Sequence, residues 1–102
     1  MSYRWEKFYK GVDTLASSTN SIQERLADAY LFHIIYIKPE ELPDKHQEEF
    51  RQICDKLISV EAVGNEGSVK ASSRSLSDEE ASEMASTIVS IFNEIAAQDW
   101  GD

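Results

Sequence analysis

The chain has 102 residues, of which 41% are apolar and 28% charged, and a formal net charge of −9 at pH 7. That size and balance fit one globular domain over residues 1–102 and exclude an intrinsically disordered chain. The acidic excess argues against nucleic acid and against an anionic membrane surface as partners, because both require clustered Lys and Arg.

The opening residues "MSYRWEKFYKG" hold no apolar core of signal-peptide length. The longest apolar run, residues 29–37, is nine residues long, against the roughly 20 that a membrane-crossing helix needs. Cys54 is the single cysteine, so no internal disulfide and no cysteine-rich metal cluster can form. A cytoplasmic protein is the expectation.

The first predicted helix carries Trp5, Phe8, Tyr9, Val12 and Leu15 at steps of three or four, which places them on one face. Gly11 lies within it and weakens it by up to about 1 kcal/mol relative to alanine. The break "SSTNS" follows at 17–21.

Ser21 and Glu24 have capping-box spacing, and the second helix is expected to run from there towards Pro39. Its later part, "YLFHIIYI" at 30–37, would also suit a buried strand. The cap and the eight helical residues before it favour a helix. A helix apolar on all sides is surrounded by protein or enters an oligomer interface. Leu26, Tyr30, His33 and Ile37 are expected to form one inward stripe. Tyr30, Phe32, Ile35 and Tyr36 are the candidate interface residues, with Phe32 and Ile35 pointing away from that stripe.

The third helix is expected at about 43–60, with Pro43 in its first turn and Phe50, Ile53, Leu57 and Val60 on one face. Residues 61–75, "EAVGNEGSVKASSRS", show no helical stripe and read as a long loop. The last helix opens with Ser77 and Glu80 in capping-box spacing. Ala81, Met84, Ala85, Ile88, Ile91, Phe92 and Ile95 form its seam. The fold class expected is all-α, an antiparallel bundle of about four helices with a longer loop before the last one.

His33 is the polar residue on an apolar face. No carboxylate stands at helical spacing beside it, so it reads as a packed histidine whose ring meets a hydroxyl or carbonyl of Tyr36, Tyr30 or the last helix. His46 and Glu49 lack the further inward carboxylates of a metal-binding bundle. No HExxH or G-x-S-x-G motif occurs, and Cys54 reads as a small buried residue. Catalytic residues, metals and cofactors are therefore not expected.

Residues 76–102 hold seven acidic side chains and neither Lys nor Arg. Glu79, Glu83 and Glu94 lie away from the apolar seam and form a candidate acidic docking face, onto which Lys70 and Arg74 of the loop could fold. Three readings of function follow. The first is a small non-enzymatic protein acting by protein–protein contact as a homodimer. The second is an antitoxin- or immunity-like inhibitor whose acidic last helix binds a basic partner protein. The third is an enzyme or ligand-binding bundle with a pocket near His33.

Overall fold

The structure is a computed structural model, and it describes residues 2–62 and 67–100. The chain folds into α1 (Tyr3–Ser17), α2 (Ile22–Phe32), two 3-10 turns (Ile34–Tyr36 and Pro39–Glu41), α3 (Asp44–Leu57), α4 (Ser68–Arg74) and α5 (Asp78–Asp99). No strand occurs among the described residues. The radius of gyration, 13.2 Å, is close to the roughly 13 Å of a compact chain of this length.

Local chemistry starts the helices. Ser2 accepts the Trp5 amide at 3.2 Å, and Ser21 accepts that of Glu24 at 3.2 Å. Ser77 and Glu80 form the reciprocal capping box, both bonds at 3.0 Å. Pro43 is the residue before α3 rather than its first member, and α3 ends at Leu57, short of Val60.

The core is one cluster. Phe8 and Leu15 of α1, Leu26, Ala27, Ala29 and Tyr30 of α2, and Phe50, Ile53 and Leu57 of α3 meet Ala81, Ile88, Ile91 and Ile95 of α5. Phe8 and Phe50 pack with ring centroids 5.7 Å apart. Trp5, Tyr9 and Phe92 form a side cluster between α1 and α5, in which Trp5 and Tyr9 stack at 5.0 Å. Helix α2 touches α1, α4 and α5, so it is central.

Two expectations need correction. The second helix does not reach Ile37. It stops at Phe32, where His33 adopts φ −135° and ψ −62°, and a 3-10 turn follows. The break lets Ile34 and Ile37 turn into the core while Phe32, Ile35 and Tyr36 face outward. Ile34 occupies a notch over Gly11, whose missing side chain makes the space: a Cβ there would lie 2.7 Å from Ile34 Cδ1. Segment 30–37 is therefore not the all-round buried half of a helix.

The second correction concerns 61–75. Residues 63–66 lie outside the described part, but Ser68–Arg74 forms α4, which packs on α2 and α3. Its buried face is Val69, Ala71, Ser72 and Ser73. Buried hydroxyls cost stability unless they are hydrogen-bonded. Ser72 accepts the Val60 amide at 2.9 Å, and Ser73 donates to the Lys70 carbonyl at 3.0 Å. Lys70 does not fold onto α5. It pairs with Asp28 of α2 at 2.6 Å and ties α4 down.

Candidate functional site

The early end of α2 builds the most distinctive surface of the molecule. Phe32 is 64% exposed, Tyr36 58% and Ile35 44%, whereas Tyr30 is buried. Of the four residues expected at an interface, three share this knuckle and Tyr30 belongs to the core. Its hydroxyl lies against the Cys54 thiol, and burial, followed by that thiol, pushes its pKa up to about 12. Burial raises the Cys54 pKa as well. Neither group is poised for chemistry near neutral pH.

The knuckle continues onto α1. The Lys7 ammonium lies 5.1 Å from the Tyr36 ring centre and 5.4 Å from that of Tyr3, which is itself exposed. A cation between two aromatic faces holds both rings, each contact contributing about 0.5–1 kcal/mol at an exposed site. Tyr3, Phe32, Ile35 and Tyr36 thus bring four large apolar surfaces to one end of the chain's first two helices. Lys7 and the exposed Lys38 border this surface, while Lys10 is paired with Glu6 at 2.9 Å.

His33 sits at the base of the knuckle as the cap residue of α2, half-buried rather than fully inward. Its charged neighbours belong to α1. Burial first, then Lys10 and Lys7, lower its pKa, while Asp13 acts against them. That direction favours the neutral ring. Sequence spacing pointed to partners on α2 and the last helix, and missed α1 because the break in α2 was not foreseen.

The acidic residues divide. Glu79 and Glu83 are exposed. Glu94 is half-buried and pairs with Lys45 of α3 at 3.3 Å, so it is not part of an open docking face. Ser82, Ser86 and Ser90 face solvent. His46 bonds Glu49 through Nδ1, and no group of three metal-ligating side chains occurs among the described residues.

A node that sequence spacing could not reveal joins the two ends of the fold. Arg4 holds the Asp99 carboxylate with Nε at 2.8 Å and Nη2 at 2.7 Å, and donates to the Glu41 carbonyl at 2.7 Å. Ser2 donates to the same carboxylate. The Arg4 guanidinium leads the causes that hold the Asp99 pKa below its ordinary value. Ninety-five positions separate the two residues.

Compared with protein-family models, with curated proteins and with solved structures, the chain matches none. No helix among the described residues is long and apolar enough to cross a membrane.

Proposed function

We propose that this protein works by protein–protein contact and that the knuckle Phe32–Ile35–Tyr36, extended by Tyr3, is the contact, joining two copies as a homodimer. The observation that carries the reading is three large apolar side chains, each 44–64% exposed, on one short turn. Exposed apolar groups that cluster, unlike scattered ones, mark contact surfaces, and aromatic residues dominate their energetics. A second copy can occupy the patch because an apolar surface can cover its own copy. Gln23 at the start of α2 bonds Asp78 at 2.8 Å, so the acidic start of α5 lies at the opposite end of α2 from the knuckle and outside such a contact.

The framework in this reading is an antiparallel bundle of the four longer helices, supported by the contacts of α5 with α1, α2 and α3. The break in α2 then has a purpose: it trades about one and a half turns of helix for a protruding aromatic edge.

Energy transfer between donor- and acceptor-labelled copies tests the reading. Mixed wild-type copies should exchange and give transfer at micromolar concentration. The Phe32→Glu, Ile35→Glu double variant should lose it with its helical circular dichroism unchanged, since both positions face solvent. Transfer that survives the double variant would remove the knuckle from the contact.

A further inference from the structure

A second surface lies between α3 and α5, formed by residues the knuckle does not use. Glu49, Gln52, Ile53 and Lys56 of α3 line one wall, and Glu80, Glu83, Met84 and Thr87 of α5 line the other, with Leu76 at one end. Each wall has the spacing i, i+3, i+4, i+7, so each is a single helical stripe about two turns, or roughly 11 Å, long. The space between them is about 440 Å³. Lys45 near the start of α3 pairs with Glu94 near the end of α5. Lys56 near the end of α3 acts on Glu80 near the start of α5. The two stripes therefore run in opposite directions.

The floor is apolar, built from Ile53, Leu76 and Met84. The rim carries three carboxylates against one lysine. Two of those carboxylates are already oriented: Glu80 accepts the Ser77 amide at 3.0 Å, and Glu49 is bonded to His46. A trough between two helix stripes has the shape into which the ridge of a third helix packs.

We infer that this trough binds an amphipathic helix of a partner protein, with its apolar stripe on Ile53, Leu76 and Met84 and its Lys or Arg side chains on Glu49, Glu80 and Glu83. The choice of a basic helix rests on charge complementarity. An acidic segment would bring its carboxylates against three others, whereas a basic helix offsets their mutual repulsion. An uncharged apolar helix would partly desolvate the rim carboxylates without supplying any opposite charge.

The test uses the full-length chain with the Phe32→Glu and Ile35→Glu substitutions, so that it is independent of the knuckle reading. The probe is a synthetic helix of roughly 18 residues, with leucines at i, i+3, i+4 and i+7 and lysines flanking them. Fluorescence anisotropy should show micromolar binding that weakens as salt rises. Glu83→Lys and Gln52→Arg, both at exposed positions, should each weaken binding about tenfold. Amide shifts on titration should fall on Gln52, Ile53, Met84 and Thr87. Four outcomes would overturn the inference: no binding at near-millimolar protein, equal binding of a scrambled peptide, affinity unchanged in both variants, or shifts that fall on Tyr3 and Tyr36. Concentration-dependent shifts at Ile53 and Met84 without peptide would also overturn it, because a second copy would then be the occupant.

Discussion

Gly11 and Ile34 show how a single missing methyl group shapes the surface. A Cβ at Gly11 would lie 2.7 Å from Ile34 Cδ1 and 2.9 Å from Cγ1, and Ile34 is fully buried with little room to yield. Alanine would gain up to about 1 kcal/mol of helix propensity but force overpacking that costs about 1–3 kcal/mol. Gly11→Ala is therefore expected to destabilise by about 1 kcal/mol, lowering Tm by roughly 4–8 °C. In an Ile34→Ala background, which lacks both clashing atoms, the same Gly11→Ala change should cost little or nothing. A stabilised Gly11→Ala protein in thermal unfolding would contradict the close approach.

Arg4 and Asp99 are the second case at this scale. Asp99 is only 8% exposed, so Arg4→Ala would leave a buried carboxylate without its main partner. The expected loss is about 2–3 kcal/mol, below the full cost of breaking a buried pair because Arg4 is itself partly exposed. The pair also sets an acid limit. The folded pKa of Asp99 is depressed below 3.8, so its contribution is fully present above that value and is lost as pH falls through the lower folded value. Asp99→Asn should make stability flatter with pH below about 4, read by urea unfolding at a series of pH values. An unchanged acid slope would show that the pair is not formed.

At the scale of elements, the helices with an apolar stripe and a side-chain cap were legible. In α5, the Ser77–Glu80 box and the seam from Ala81 to Ile95 specify start, face and length together. The end of α2 was not legible, because its cause is tertiary: the notch at Gly11 draws Ile34 inward, and no residue near 33 signals a break. Pro39 requires only that Lys38 be extended, which it is, with φ −86° and ψ 147°. Helix α4 was missed for the opposite reason. It has seven residues and buries small and polar side chains, so it carries no stripe for periodicity to detect.

The docking of α4 therefore rests on a small buried face, the Lys70–Asp28 pair and a few hydrogen bonds. Ser72→Ala deprives the half-buried Val60 amide of its acceptor, which costs about 1–3 kcal/mol when such a donor is left unmet. Faster hydrogen exchange at Val60 and across α4 is expected, with α5 unaffected. Equal acceleration in α5 would mean that α4 and the rest of the core open as one unit.

Across the whole molecule, the aromatic knuckle and the exposed carboxylates of α5 occupy different ends of α2. The aromatic knuckle and its lysines lie at the break after α2, whereas the exposed carboxylates Glu79, Glu80 and Glu83 lie along the first turns of α5. The candidate site was half legible. Phe32 and Ile35 were singled out by pointing away from the inward stripe, and Tyr36 was grouped with them as an interface candidate. Tyr3 and Lys7 were not, because nothing in the spacing brings the start of α1 to residue 36. The acidic face lost Glu94 to Lys45, a partner on another helix.

This separation makes self-association respond to salt in a definite direction. Copies of charge −9 repel less when screened, while an apolar contact is not weakened by salt. Sedimentation equilibrium from low micromolar to near-millimolar protein, at about 0.05 and 0.5 M salt, is the most direct measurement. A monomer–dimer equilibrium whose dimer fraction holds or rises at high salt is the predicted result. A monomer mass at every concentration and both salt levels would contradict it.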